Sequence, residues 1–229
     1  MQKWRMLDAL PLDASADLTV RAQRLDLRAG EVVCREGADD RRLFVVESGA
    51  VDLFHEGNGR RRLVHVARSG EHFGEVAALD GGHCATTAEA RVASRLAAFS
   101  PEALGLWLAA HPQAAEVLLR ALSRRVKELD DRVATTVFDD VPGRLARALV
   151  RWGAQYGDVL EGSCYLRHGL TQAELASLIG AGRESVNKAL RNFAARGWIT
   201  QDVSGSLVLR RVDYLRRRGN LVAAAQRAR

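Results

Sequence analysis

The chain has 229 residues, 47% of them hydrophobic and 27% charged, a balance that is ordinary for a soluble globular protein with room for two small domains. Its net charge of +6 is unevenly distributed, because residues 141–229 hold 15 Lys and Arg against 6 Asp and Glu, whereas residues 1–140 hold 19 against 22. Basic charge confined to the C-terminal part predicts that this part binds a polyanion.

The spacing of the cysteines and the composition of the N-terminal residues argue against several classes of protein. Cys34, Cys84 and Cys164 are far apart and form no Cys-x-x-Cys pair, so their spacing supports neither a zinc finger nor an iron–sulfur cluster. Residues 1–13 contain no apolar run long enough for a signal peptide, and no stretch approaches the ~20 apolar residues of a membrane-spanning helix. We therefore expect a cytoplasmic protein without a membrane partner and without a metal or cofactor required for folding.

Residues 24–99 alternate between short apolar runs and turn signals. The runs that predict strands are residues 25–27, 32–33, 43–46, 51–54, 63–66 and 91–99, and pairs such as Ser48-Gly49 and Ser69-Gly70 separate them. A spacing of roughly 8–12 residues is typical of an antiparallel sandwich or barrel. We expect a β domain over residues 1–111.

A long helix is predicted next, over residues 112–138. Its apolar positions, 115, 119, 122, 126, 129, 133 and 136, are separated by alternating steps of 4 and 3. This is a heptad seam with charged residues on its flanks. The alternative is an ordinary amphipathic helix that packs on its own domain, but the strict alternation favours self-pairing. The predicted dimer interface consists of Leu119, Leu122, Val126, Leu129 and Val133.

Residues 138–144 interrupt this helix where the acidic and basic parts of the chain meet. Asp139 or Asp140 can cap the helix that follows, and Pro142 suits its first turn. We expect a hinge here, followed by a C-terminal domain over residues 139–229.

Residues 170–199 predict two short helices joined by a tight turn. Thr171 and Glu174 form a capping box at the start of the first helix, and Gly180-Ala181-Gly182 ends it. In the second helix the apolar positions 186, 190 and 193 recur at i, i+4 and i+7. A hairpin wing is predicted from residues 198–200 and 207–209, and Asp213 is the candidate cap of a last short helix.

The outer face of the second helix carries polar groups suited to DNA. Glu184, Asn187, Lys188 and Arg191 fall opposite the apolar face at about 100° per residue, and Arg183 projects from the first turn. Arg and Lys can donate to guanine, Glu can accept from cytosine and Asn can pair with adenine, so the helix fits the major groove. The alternative is that Glu184 and Lys188 form only an i, i+4 ion pair on a solvated face. The capped first helix, the turn and the basic surroundings favour DNA binding.

The stretch Gly182-Arg183-Glu184-Ser185-Val186-Asn187-Lys188 resembles the recognition helix S-R-E-[TS]-V-x-[RK] of the bacterial CRP/FNR transcription regulators, with Gly in place of the first Ser. The resemblance implies that Arg183, Glu184 and Lys188 read bases. It also implies phosphate contacts by Thr171, Gln172 and Ser185. The predicted DNA-binding set is therefore Arg183, Glu184, Lys188, Thr171, Gln172, Ser185, Asn187 and Arg191.

The β segment resembles the cyclic-nucleotide-binding jelly roll of the same family, notably in residues 29–31, 43–49, 70–75 and 79–82. In the family, a Gly-Glu pair binds the ribose hydroxyl and a later Arg-Ser pair holds the phosphate. Gly74 and Glu75 match the first pair, but residues 82–87 contain no Arg. The candidate effector residues are Gly74, Glu75, Thr86 and Arg91. We expect cAMP not to bind tightly, because a buried phosphodiester needs a cation.

Taken over nearly the whole chain, the resemblance implies an α+β protein with an N-terminal β jelly roll, a long dimerisation helix and a C-terminal winged helix-turn-helix. It implies a homodimeric regulator that binds a palindromic TGTGA-like site in double-stranded DNA and works with RNA polymerase. Alternatives are an effector-independent member, a redox- or haem-sensing member that uses His72, His83 or Cys84, and a nonspecific DNA-binding protein. No nucleophile–base pair or phosphate-binding loop indicates an enzyme.

Overall fold

The structure, a computed structural model, describes residues 12–57, 59–160, 163–166, 169–201 and 206–221. The chain forms two compact units that divide within the long helix, between Glu128 and Leu129. The predicted wing tip lies outside the described residues, as does the side chain at the predicted seam position 136.

The first unit is built from two antiparallel sheets and four helices, the last of which continues into the second unit. Its elements are α1 (Leu12–Val20), β1 (Gln23–Leu27), β2 (Val32–Cys34), β3 (Leu43–Ser48), β4 (Ala50–Gly57), β5 (Arg60–Arg68), β6 (His72–Phe73), α2 (Glu75–Asp80), β7 (Thr87–Ala90), β8 (Ser94–Phe99), α3 (Pro101–Ala110) and α4 (Pro112–Phe138). One sheet has the strand order β1-β8-β3-β6 and the other β2-β7-β4-β5, which confirms the predicted jelly roll.

The apolar residues of these strands form the core of the roll. Phe44 and Phe73 stack with ring centroids 5.0 Å apart, and both are buried. A second cluster forms where the helices pack on the roll, and there the indole of the buried Trp107 donates a hydrogen bond to the Ala14 carbonyl at 2.8 Å. Burial of these large rings supplies much of the apolar stabilisation of the roll.

Several short elements differ from the sequence prediction. The single strand predicted over residues 91–99 is wrong, because residues 91–93 form a bend between β7 and β8. A residue far away in the sequence stabilises the bend, because the Arg91 N–H donates to the Ala50 carbonyl at 2.9 Å. Gly49 faces it so closely that a Cβ there would lie 2.2 Å from the Ser94 hydroxyl. The two-residue strand β6 and the helix α2 were not predicted, because both are too short to show a period.

The second unit is a winged helix-turn-helix. Its elements are α5 (Val141–Tyr156), β9 (Asp158–Leu160), β10 (Ser163–Leu166), α6 (Gln172–Ile179), α7 (Arg183–Ala195), β11 (Ile199–Gln201), β12 (Leu207–Leu209) and α8 (Val212–Arg218). The four strands form one antiparallel sheet in the order β11-β12-β10-β9. Leu145, Leu175, Val186 and Phe193 are buried in one cluster, so the three main helices share a core.

Two caps were assigned from sequence at the ends of this unit. Asp140 does cap α5, since its carboxylate accepts from the Gly143 N–H at 2.9 Å. The cap predicted at Asp213 is wrong: Arg211 occupies the N-cap position of α8, and Asp213 lies inside the first turn. There its negative charge still faces the positive end of the helix dipole.

Candidate nucleic-acid interface

The first helix of the motif, α6, begins with the predicted capping box. The Thr171 hydroxyl accepts from the Glu174 N–H at 3.2 Å, and the Glu174 carboxylate accepts from the Thr171 N–H at 2.6 Å. Two N–H groups at the start of the helix are thus satisfied, a contribution of about 1 kcal/mol. The capping box therefore fixes where α6 begins, with Gln172 half-buried as its first residue.

The recognition helix α7 presents one buried and one exposed face. Val186, Ala189 and Phe193 are buried. The predicted base-reading side chains Arg183, Glu184 and Lys188 are exposed, as are Ser185 and Arg191, while Asn187 is half-buried. The eight predicted DNA-binding residues thus belong to the start of α6 and to α7, two helices that pack together.

Glu184 and Lys188 do not form the ion pair that sequence left as an alternative, as far as the described residues show. Together with Asn187 and Arg191 they line a shallow depression of about 470 Å³. Polar groups of both donor and acceptor type therefore converge on one concave surface, an arrangement that suits hydrogen bonding to base edges.

A second depression on this unit was not predicted from sequence. It has a volume of about 530 Å³ and lies between the first turn of α5, at Val141 and Pro142, and α7, at Ser185 and Lys188. Its lining is largely apolar, with Ala189, Phe193 and Trp198 beside Lys188, and the Asp140 carboxylate already caps the start of α5. A sequence signal was present in Pro142, which marks a helix start, but the partner helix lies far along the chain and its approach could not be read from the sequence.

Stacked rings support the far end of α7. Phe193 stacks on Trp198 at 5.5 Å, and Trp198 stacks on Tyr214 of α8 at 5.6 Å. The Arg196 and Arg211 guanidinium groups lie over Trp198 and Tyr214 at 5.3 and 4.4 Å. Such contacts contribute about 0.5–1.5 kcal/mol each and hold the C-terminal end of α7 against α8.

The predicted effector residues occupy different elements of the roll. Gly74 has φ 81°, and a Cβ there would lie 2.5 Å from the Arg42 carbonyl, so only Gly fits. Glu75 begins α2 and is only 5% exposed, while Thr86 is half-buried in the loop before β7. Arg91 forms an ion pair with Asp52 of β4 at 2.7 Å. Arg91, the one basic side chain among the four candidate effector residues, therefore already has a carboxylate partner.

The candidate sensing residues do not form a metal centre in the described part of the chain, where no group of three or more His, Cys, Asp or Glu could hold an ion. His83 is exposed. Cys84 is buried and its thiol donates to the Asp40 carbonyl at 3.2 Å. Burial, followed by the nearby Cys84, raises the pKa of the Cys34 thiol to about 12, so this thiol stays protonated and unreactive at neutral pH.

The predicted seam forms an exposed apolar stripe along α4. Four of its residues expose more than half of their surface: Leu119 63%, Val126 57%, Leu129 52% and Val133 67%. Leu122 is half-buried. In the described residues no helix is long and apolar enough to cross a membrane.

Comparisons with known proteins find matching domain models and a similar relative. A model of the cyclic nucleotide-binding domain matches residues 24–111, and a model of the Crp-like helix-turn-helix domain matches residues 143–218. The chain is 36% identical to the CRP-like cAMP-activated global transcriptional regulator of Mycobacterium tuberculosis over 196 residues, which cover 85% of this chain and 88% of that protein.

Solved structures are similar as well. A transcriptional regulator of the CRP/FNR family from Thermus thermophilus matches with a TM-score of 0.67 at 25% identity, covering 86% of this chain and 98% of that one. A mutant of CooA from Carboxydothermus hydrogenoformans matches with a TM-score of 0.77 at 17% identity, covering 95% of each chain. At that identity the second match shows the fold alone.

Proposed function

Because this chain belongs to the CRP/FNR family of transcription regulators, we propose that it acts as a homodimer on a palindromic operator with TGTGA-like half-sites. Each protomer places α7 in the major groove. Arg183, Glu184 and Lys188 read base edges, and Thr171, Gln172 and Ser185 hold phosphates.

The observation that carries this proposal is the exposed polar face of α7 on a rigid helix-turn-helix. Its buried face is locked into the core at Val186 and Phe193, so the outward side chains have a defined direction. Glu184 is important for the choice of function, because a carboxylate on a phosphate-binding surface opposes nonspecific attraction. A carboxylate there is useful when it accepts a hydrogen bond from cytosine.

Self-association is supported by the apolar stripe on α4. Single exposed apolar residues are ordinary, but a row at heptad spacing on one helix is typical of a helix that pairs. A C2 dimer would also match the two-fold symmetry of a palindrome.

The β-roll of this protein is proposed to hold an effector other than tightly bound cAMP, or none. The relative from Mycobacterium tuberculosis is named as cAMP-activated, whereas the proposal for this chain rests on its own residues. Residues 82–87 contain no Arg or Lys, and Arg91 is paired with Asp52. RNA polymerase is the proposed protein partner, as expected for a transcription regulator.

The proposal is tested by fluorescence anisotropy on two duplexes of equal length and composition, one palindromic and one scrambled, at one stated salt concentration. Specific binding predicts an affinity at least about a thousandfold higher for the palindrome. Equal affinities would favour the alternative, a nonspecific DNA-binding protein.

A further inference from the structure

The turn that leads into the recognition helix is closed on its α6 side by backbone hydrogen bonds, since the Gly180 and Ala181 N–H groups both donate to the Ala176 carbonyl. Gly180 ends α6 in the left-handed conformation, and Gly182 occupies the N-cap position of α7 without any side-chain cap. The pattern that this stretch resembles has Ser at the place of Gly182, a residue whose hydroxyl could cap the helix. The α7 side of the turn therefore has no side-chain cap in this chain, so a contact from another element gains weight in positioning the turn.

Arg144 of α5 supplies such a contact. One of its terminal nitrogens donates to the Gly180 carbonyl at 3.1 Å, and the other donates to the Asp139 carbonyl at 3.2 Å. One planar guanidinium thus joins the turn of the helix-turn-helix to the segment between α4 and α5. A bridge of this kind needs two donors in a fixed fork, which Arg has and Lys lacks.

The Asp139 end of this bridge is itself anchored. The Asp139 side chain is only 7% exposed, and its carboxylate accepts from Arg147 at 3.1 Å and from the Asn220 amide at 3.0 Å. Asp140, the next residue, pairs with Arg218 at 2.7 Å and caps α5. The segment that precedes α5 is therefore a fixed point to which Arg144 ties the turn.

We propose that Arg144 is a positioning residue for operator readout. It fixes the N-terminal end of α7, and with it Arg183 and Glu184, relative to the segment between α4 and α5. The inference rests on the proposed function, since it assumes that α7 reads bases. A displacement at Asp139 would reach the turn through Arg144, because the guanidinium contacts both carbonyls.

The test compares Arg144→Lys with Arg147→Lys in the full chain. Both arginines lie on α5, both are half-buried and both contact Asp139, but of the hydrogen bonds described for the pair, only one from Arg144 reaches the turn. Each substitution keeps the charge, so long-range attraction to DNA is unchanged. The quantity measured is the ratio of affinities for palindromic and scrambled DNA at fixed salt.

We expect Arg144→Lys to lower this ratio about tenfold or more, with affinity for scrambled DNA unchanged, because loss of one charge-assisted hydrogen bond is enough for such a factor. Arg147→Lys should keep the ratio within about twofold of the parent, because the hydrogen bond described from Arg147 to the Asp139 carboxylate uses one donor, which a Lys ammonium also supplies, so that Asp139 stays anchored. An equal fall in both variants, or an unchanged ratio in Arg144→Lys, would overturn the inference.

Hydrogen exchange of the amides at residues 181–185 gives a readout that does not depend on DNA. It should become faster in Arg144→Lys and stay as in the parent in Arg147→Lys. Unchanged exchange in Arg144→Lys would refute the link. If the parent chain fails to prefer the palindrome, the proposed function is wrong, and this exchange measurement still decides whether Arg144 holds the turn.

Discussion

Replacing two residues of the α4 stripe should dissociate the proposed dimer without unfolding the protomer. Val126 and Leu129 are 57% and 52% exposed in the protomer, so Val126→Asp together with Leu129→Asp removes little packing from the folded chain. Full burial of a Val or Leu side chain stabilises by about 1.5–3 kcal/mol, so burying the exposed half contributes about 1 kcal/mol each.

Four such residues per helix are eight per dimer, so their burial contributes about 8 kcal/mol in favour of association, part of which offsets the entropic cost of bringing two protomers together. The double variant removes four of the eight and loses about 4 kcal/mol, so the dissociation constant should rise about a thousandfold or more. Carboxylates brought together across the two-fold axis weaken the pair further.

Sedimentation equilibrium is the assay for this prediction. The parent should sediment as a dimer and the double variant as a monomer with much weaker operator binding. Leu106→Asp is a matched control, because Leu106 is 62% exposed on a different helix, α3, and this variant should remain dimeric. A double variant that sediments as the same dimer as the parent would refute the assignment of α4 as the interface.

Three further outcomes are expected. Arg183→Ala should cost about 1–3 kcal/mol on the palindrome and little on scrambled DNA, and equal losses in a binding titration would reduce Arg183 to a phosphate contact. In calorimetry, the dissociation constants of cAMP and cGMP should lie above the low micromolar range, because each missing contact of about 1.4 kcal/mol weakens binding about tenfold. Tight binding would show that the roll does hold a phosphate, and Arg91→Ala would then be the next variant. The hydrogen bond from Arg218 holds the pKa of Asp140 below its ordinary 3.8, so the stabilisation by the ionised carboxylate is fully present above that value and is lost as the pH falls through the lower folded pKa. The difference in melting temperature between the parent and Asp140→Asn, whose amide can still cap α5, should therefore shrink as the pH is lowered below 3.8, and a constant difference would contradict the ion pair.

The parts of the fold that sequence predicted well are those with local causes. The capping box at Thr171 and Glu174, the cap at Asp140 and the break at Gly180 all involve residues within a few positions of one another. The heptad steps of α4 likewise depend only on spacing along one helix. These signals also allowed the polar face of α7 to be predicted, because the residue at which a helix begins determines which of its side chains share a face.

The features that could not be predicted from the sequence depend on contacts between residues far apart in the chain. The bend at residues 91–93 depends on the Arg91 N–H reaching Ala50, and the pairing of Arg91 with Asp52 joins β4 to the end of β7. The bridge from Arg144 to Gly180 crosses 36 positions. The pattern of polar residues along a chain does not show which polar groups will meet in the fold. The ion pair of the candidate effector residue and the hydrogen bond that anchors the turn therefore could not be predicted from the sequence.

The most direct test of the central claim, that a dimer reads a palindrome through two recognition helices, is an operator-spacing series measured by anisotropy at one salt concentration. Two recognition helices held about 34 Å apart require half-sites about 10 base pairs apart, centre to centre. Inserting about 5 base pairs, half a helical turn, between the half-sites puts one of them on the opposite side of the duplex. This insertion should lower the affinity to that of a single half-site. Affinity that is the same at both spacings would contradict the claim.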